Sequence, residues 1–134
     1  SNRKTETIAK PYENIPILGR VAAGAPLLAE ENLEGQIPVP KSFLDNGSHF
    51  ALHVKGDSMS GAGILDGDTA ILRKQQTANN GEIVVALVDE AVTLKRFYTE
   101  ASRVRLQPEN PEYYPLYTQD VKVLGKLVTI IRQY

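Results

Sequence analysis

The chain has 134 residues, no cysteine, and a formal net charge of −1 from 15 Lys and Arg against 16 Asp and Glu. This length is typical of one domain, which can bury a core without covalent cross-links. Without cysteine there is no disulfide, thiol nucleophile or cysteine zinc site, and the near-zero charge leaves no basic field for nucleic-acid phosphates. No apolar run approaches the ~20 residues that a membrane helix needs. We therefore expect no membrane partner, and a cytoplasmic location fits.

The first 14 residues are polar, mixed in charge and without hydrophobic periodicity, as is typical of a linker. Ser1 and Asn2 resemble a remnant of tag removal. Ordered structure is predicted to begin at Ile15, so residues 15–134 form the expected domain. The small residues 21–26 predict by themselves an ordinary turn.

Two polar side chains stand at the end of one predicted strand and within another. Apolar residues alternate along residues 50–54, which then run into a Gly-Asp-Ser turn that presents Ser58. Lys95 lies in the middle of a strand-like segment, residues 91–97. A serine and a lysine so placed are the two parts of a Ser-Lys nucleophile pair. Such residues also occur without function in many β proteins, so a non-catalytic interpretation stays open here.

Local structure explains the other titratable residues better than metal binding does. His49 and His53 share a face of the predicted strand, but they have no cysteine or matching carboxylate cluster to complete a metal site. Asp57, Asp66 and Asp68 are typical turn residues, because Asp bonds to its own backbone and Asp-Gly favours a hairpin. We expect neither a metal ion nor a cofactor.

The second half of the chain predicts further strands. A turn at residues 79–81 precedes an apolar run at residues 82–88, and Asp89 and Glu90 form the next tight turn. An apolar segment at residues 121–131 comes near the end. Many short strands, Gly, Pro and Asn turns, and no long amphipathic helix predict an all-β fold with a coiled or barrel-like, mostly antiparallel sheet.

Three stretches resemble functional segments of the LexA repressor family. Residues 19–29 (GRVAAGAPLLA) resemble its self-cleavage region, residues 56–59 (GDSM) its nucleophile segment, and residues 92–96 (VTLKR) its base segment. They occur in the family's order and spacing, and similarity continues through residues 106–110 to residues 130–132. The resemblance implies a sheet of the LexA and signal-peptidase type and a C-terminal domain that cleaves itself and dimerises.

The resemblance also implies roles for individual residues. Ser58 is the expected nucleophile and Lys95 the general base, and the bond cleaved is Ala23–Gly24. A lysine can act as a base only when neutral, and its ordinary pKa of ~10.4 leaves it charged at pH 7. Burial among the apolar neighbours Val92, Leu94 and Phe97 is expected to lower that pKa when the cleavage loop closes over the lysine.

Backbone donors at Asp57 and Ser58 are the expected oxyanion hole for the carbonyl being attacked. Val21 and Ala22 belong to the substrate loop that must enter the site. One departure from the family is Ala91, where relatives commonly carry an acidic residue; its effect cannot be derived from the sequence.

The C-terminal segment with Ile130, Ile131 and Arg132 is apolar and β-prone, which predicts a homodimer interface. An internal strand covered by its own sheet is the alternative. From the resemblance, a RecA filament on single-stranded DNA is the expected trigger of cleavage after DNA damage. Operator DNA is expected to bind only through an N-terminal helix-turn-helix domain that is not part of this sequence.

Other classes share parts of this pattern. Phage repressors and the translesion polymerase subunit UmuD also have a Ser-Lys domain, but the Ala-Gly bond and its surrounding residues favour a LexA-type repressor. A β dimerisation module without proteolytic activity is the alternative from another class, and the presence of both Ser58 and Lys95 argues against it.

Overall fold

The computed structural model of the chain describes residues 10–134. These residues form nine strands and three short 3-10 helical turns. The strands are β1 (Tyr12–Leu18), β2 (Leu33–Pro40), β3 (His49–His53), β4 (Thr69–Lys74), β5 (Ile83–Val88), β6 (Ala91–Glu100), β7 (Arg103–Gln107), β8 (Leu116–Thr118) and β9 (Lys122–Ile131). The 3-10 turns lie at Glu30–Asn32, Lys41–Phe43 and Ser60–Ala62.

The nine strands belong to one mixed sheet in the order β2-β1-β3-β4-β9-β5-β6-β7-β8. Neighbouring strands are antiparallel, except that β1 and β3 pair in parallel through Ile17 and Ala51. The prediction of an all-β chain with a mostly antiparallel sheet is confirmed. In the part of the chain that is described, no helix has the length and hydrophobicity to span a membrane.

Strand β1 begins three residues earlier than the predicted domain boundary. Tyr12, Glu13 and Asn14 pair with the end of β2, although all three are exposed. Cross-strand backbone bonds hold these polar residues, so hydrophobic periodicity gives no signal for them. Residues 1–9 of the predicted linker, including Ser1 and Asn2, lie outside the described residues.

The β5–β6 hairpin sets the position of Lys95. Asp89 and Glu90 form its two-residue loop, both with positive φ (49° and 69°), as the tight turn between twisted strands requires. This fixes the register in which Val84 lies opposite Lys95. A slip by one residue would move Lys95 to the other face of the sheet.

The segment that joins β3 to β4, residues 54–68, is called the Ser58 turn below. It has little regular structure, yet Met59 and Ile64 are each only 2% exposed and pack in the main hydrophobic cluster with Phe50 and Leu72. Burial of each such side chain contributes roughly 1.5–3 kcal/mol of stability. The residue that follows Ser58 thus anchors this turn to the core.

Strand β9 lies inside the sheet between β4 and β5. It pairs with β4 from Gly125 to Ile131, but with β5 only from Lys122 to Lys126. Among the described residues, only Gly125 and Lys126 therefore have strand partners on both sides, so the alternative interpretation of a strand covered by its own sheet holds for the middle of β9 alone. Residues 122–124 have β5 as their strand partner, and residues 127–131 have β4, so within residues 10–134 each of these two parts is paired on one side.

Candidate active site

A cavity of about 340 Å³ lies where the Ser58 turn faces strand β6. Ser58 and Lys95 both line it. Its apolar lining includes Leu18, Val21, Leu52, Val54, Met59, Val92 and Leu94. The structure thus brings together two side chains that lie 37 residues apart in the chain, beside a space that a peptide can enter.

Lys95 contacts Ser58 directly. Its Nζ donates a hydrogen bond to Ser58 Oγ at 3.1 Å and another to Thr93 Oγ1 at 2.7 Å. The sequence analysis did not identify Thr93. Residues two apart on a strand share a face, so the position of Thr93 beside Lys95 could have been inferred. The two hydroxyl groups hold the amine between them.

Burial lowers the pKa of the Lys95 ammonium below its usual value, because desolvation penalises the charged form. The apolar side chains of Val92 and Leu94 line the cavity, as expected from the sequence. This environment increases the fraction of lysine that is neutral near physiological pH, which is the form that can accept a proton.

The predicted oxyanion donors, Asp57 and Ser58, lie at the tip of the Ser58 turn. The carbonyl oxygen of Asp57 accepts from Asn110 Nδ2 at 2.9 Å, and that of Ser58 accepts from the N–H of Glu109 at 2.8 Å. Neither the Asp57 nor the Ser58 N–H has a hydrogen-bond acceptor among residues 10–134. These two donors are therefore available to a bound carbonyl group.

Residues 19–32, called the Ala23 loop below, join β1 to β2. Val21 lines the cavity, whereas Ala23 and Gly24 are exposed and do not line it. Gly24 has φ +78°, which a residue with a side chain rarely adopts. The structure therefore places the predicted scissile bond outside the space that contains Ser58 and Lys95.

Asn32 holds the Ala23 loop in this position. Its side chain is 1% exposed, accepts from the N–H of Ala22 at 2.9 Å, and donates to the carbonyl oxygens of Pro26 and Leu27 at 3.1 and 2.9 Å. Nothing in the sequence distinguishes this asparagine, because its importance arises only when the loop folds around it. A buried amide with all its bonds made inside one loop is a structural clamp.

The predicted dimer residues lie at the end of β9. Ile130 and Ile131 pair with Ala70 and Thr69 of β4. The guanidinium of Arg132 forms two bonds, of 2.6 and 2.8 Å, with the carboxylate of Asp68 in the same chain. This pair lowers the pKa of Asp68 to about 2 through the hydrogen bonds of Arg132.

The other aspartates and histidines have local partners. Asp66 accepts from the N–H of Gly56 at 2.7 Å, in agreement with the predicted turn role. His49 Nε2 contacts Asp45 at 2.6 Å, and His53 Nδ1 lies 3.3 Å from the Thr69 hydroxyl. Within residues 10–134, no three His, Asp or Glu side chains are grouped so that they could hold a metal ion.

A serine and a half-buried lysine in contact beside a cavity have the arrangement that Ser-Lys hydrolytic pairs use. The family profile described as Peptidase S24-like matches residues 16–128. The chain belongs to the peptidase S24-like family.

Among curated proteins, the chain is similar to LexA repressors. It is 52% identical to that of Desulfitobacterium hafniense over 88% of this chain and 58% of the relative. It is 49% identical to that of Alkaliphilus oremlandii (92% and 60%) and 51% identical to that of Clostridium novyi (98% and 66%). The chain spans about three fifths of the length of these relatives. The resemblance predicted from the sequence motifs is confirmed.

Proposed function

We propose that this chain is the C-terminal, self-cleaving domain of a LexA-type SOS repressor and that it cuts its own Ala23–Gly24 bond. The single observation that carries the proposal is the 3.1 Å contact between Lys95 Nζ and Ser58 Oγ inside the cavity. Family membership and the identity to LexA repressors support it.

In the proposed reaction, the neutral amine of Lys95 takes the proton of Ser58 as the oxygen attacks the carbonyl carbon of Ala23. The new ammonium then gives this proton to the nitrogen of Gly24, and the peptide bond breaks. An ester between Ser58 and Ala23 remains. A water molecule, deprotonated by the same amine, hydrolyses the ester and restores Ser58.

Thr93 and the backbone support this sequence of steps. Because Thr93 Oγ1 accepts a hydrogen bond from Lys95 Nζ, it orients the amine toward Ser58. The free N–H groups of Asp57 and Ser58 would donate to the carbonyl oxygen of Ala23 as negative charge develops on it. One such donor commonly contributes a factor of about 10²–10³ in rate.

Substrate and catalyst share one chain, so the rate depends on how often the Ala23 loop enters the cavity. Ala23 and Gly24 are outside it, which requires a movement of the loop before cleavage. We propose that a RecA filament on single-stranded DNA favours the inserted position after DNA damage. Cleavage then breaks the covalent link between this domain and the operator-binding domain, and it relieves repression in the cytoplasm once the two parts separate.

The domain is also proposed to form the homodimer of the repressor. Residues 127–131 of β9 are mostly apolar and pair with β4 alone, so they supply an edge for a two-fold mate. Sedimentation velocity at micromolar concentration should give about twice the mass of the chain. A monomer at all concentrations up to 100-fold higher would contradict the proposed interface.

The test of self-cleavage is a pH series on the pure protein. Because the folded environment lowers the Lys95 pKa, the neutral fraction rises with pH, and the cleavage rate should rise between pH 7 and 10 and then level off. Mass spectrometry should find two fragments that meet between Ala23 and Gly24.

Ser58→Ala should abolish this cleavage, because no nucleophile is left. Ser48→Ala is the matched control, since Ser48 is an exposed serine that does not line the cavity, and it should cleave at the wild-type rate. An intact wild-type chain at every pH, or normal cleavage by Ser58→Ala, would refute the proposed function.

A further inference from the structure

The segment at residues 108–110, which resembles the LexA family but has no role in the proposed reaction, contacts the Ser58 turn. The N–H of Glu109 donates to the carbonyl oxygen of Ser58 at 2.8 Å, and the N–H of Gly61 donates to the carbonyl oxygen of Glu109 at 2.6 Å. Asn110 Nδ2 donates to the carbonyl oxygen of Asp57 at 2.9 Å. Three hydrogen bonds thus connect two residues of this segment to both sides of Ser58.

The approach of the two segments is close enough to require glycine. A Cβ added to Gly61 would stand 2.5 Å from the carbonyl oxygen of Glu109, well inside van der Waals contact. The obstacle is backbone, so it cannot turn away as a flexible side chain would. Any side chain at Gly61 would therefore push residues 108–110 away from the Ser58 turn.

Glu109 is also bound to the strand that carries the lysine. Arg96 directly follows Lys95 in β6, and its Nε donates to Glu109 Oε1 at 2.6 Å while its Nη1 donates to the carbonyl oxygen of Gly81 at 2.6 Å. Both partners in this ion pair are about one third exposed or less. Strand β6 and the Ser58 turn are therefore attached to the same residue.

We propose that Glu109 and Asn110 are positioning residues that hold Ser58 at bonding distance from Lys95, an inference that rests on the proposed self-cleavage. The Ser58 turn has no strand partner of its own at Ser58, so the position of the hydroxyl depends on contacts from elsewhere. A displacement of about 1 Å between reacting groups can reduce a rate by up to about 10²-fold.

The amide of Asn110 is suited to this role at both ends. Its Nδ2 donates to Asp57, and its Oδ1 accepts from the N–H of Glu112 at 2.9 Å. A carboxylate of the same shape would keep the second bond and lose the first. Asn110→Asp would also place a negative charge against the carbonyl oxygen of Asp57. The variant should therefore lose activity, whereas it would stay active if Asn110 only filled space.

The experiment compares Asn110→Ala and Asn110→Asp with wild type in two assays. Self-cleavage is followed from pH 7 to 10, and the hydroxyl of Ser58 is labelled with a small fluorophosphonate, which does not require the Ala23 loop to move. Both variants should lower the plateau of the cleavage rate by about 10-fold to 100-fold and the labelling rate in parallel. The midpoint of the pH profile should stay unchanged, since Asn110 does not touch Lys95.

Asn80→Ala is the matched control, because Asn80 bonds to Thr99 and not to the Ser58 turn. It should keep both rates within twofold. Folded Asn110 variants with wild-type rates, or with a shifted pH midpoint at an unchanged plateau, would overturn the inference. If they do not fold, Gly61→Ala is judged by the same criteria. A wild-type chain that neither cleaves nor is labelled would instead refute the proposed function.

Discussion

The Ser58 turn and the Ala23 loop are held in different ways. The Ser58 turn is anchored by the buried side chains of Met59 and Ile64, by the Arg132–Asp68 pair, and by the backbone of Glu109. The Ala23 loop has one buried polar clamp, Asn32, and exposes the bond proposed for cleavage.

This difference indicates which part of the proposed reaction can be regulated, the catalytic pair or the entry of the Ala23 loop into the cavity. Contacts from several elements hold the nucleophile and the base at bonding distance, and a change in that distance would lower the rate of every cleavage event. The Ala23 loop has one fully buried polar side chain, and its apolar residues Val21, Leu27 and Leu28 are only partly buried, so a modest interaction energy can change how often it enters the cavity. We therefore expect regulation to act on the loop and not on the Ser58–Lys95 pair.

The largest effect is expected from Lys95→Arg. A guanidinium keeps the positive charge but cannot release its proton in the accessible pH range. Cleavage should fall by at least about 10³-fold at every pH from 7 to 10, as is typical when a nucleophile loses its base. Lys74→Arg, at the exposed end of β4, is the control and should behave as wild type. Residual cleavage that still rises with pH would show that another group is the base.

A tenfold effect of opposite sign is expected from Asn32→Ala. Removing the amide releases the N–H of Ala22 and two loop carbonyl groups, so the loop leaves its present position more often. The cleavage rate at pH 8 should rise about 10-fold, while the melting temperature falls because about 1–3 kcal/mol of buried hydrogen bonding is lost. Asn46→Ala, in an exposed turn, should change neither. Slower cleavage would mean that Asn32 supports the inserted loop instead.

A smaller effect concerns the anchor between the Ser58 turn and β9. Arg132 holds the pKa of Asp68 at about 2, below the ordinary 3.8. A lowered carboxylate pKa stabilises the fold above about pH 4, and this contribution is lost as pH falls through about 2. Since Arg132 is partly exposed, we expect about 1–2 kcal/mol at pH 7 and about half of that at pH 3.

Urea unfolding of Asp68→Asn at these two pH values measures this contribution, with Asp89→Asn in the exposed hairpin turn as the control. The difference between wild type and Asp68→Asn should shrink on acidification. A difference that is equal at pH 7 and pH 3 would assign the stability to packing and not to ionisation.

Local patterns in the sequence predict much of the fold. Alternating apolar residues mark β3, and Asp89 with Glu90 form the expected tight turn, so the strand that carries Lys95 was located correctly. The contact between Ser58 and Lys95 followed from the family motifs, and the structure places the two atoms 3.1 Å apart.

Long-range contacts explain what the sequence could not show. Phe97, expected in the apolar wall around Lys95, instead pairs with Leu106 of β7 and packs in a separate cluster. Asn110 lies 53 residues from Asp57 in the chain, and Asn32 has a role only through a folded loop. Periodicity reports which face of a strand is apolar, and it carries no information about which strands become neighbours.

Strand β1 has a further consequence for the fate of the products. It pairs along its length with β2 and touches β3, and it lies on the N-terminal side of the bond after Ala23. A break at that bond would leave the fold intact, because the N-terminal fragment would stay bound to the sheet through β1. The N-terminal fragment could then dissociate only after β1 separates from β2 and β3. The rate of its release would therefore depend on the stability of these strand pairings as well as on the rate of cleavage.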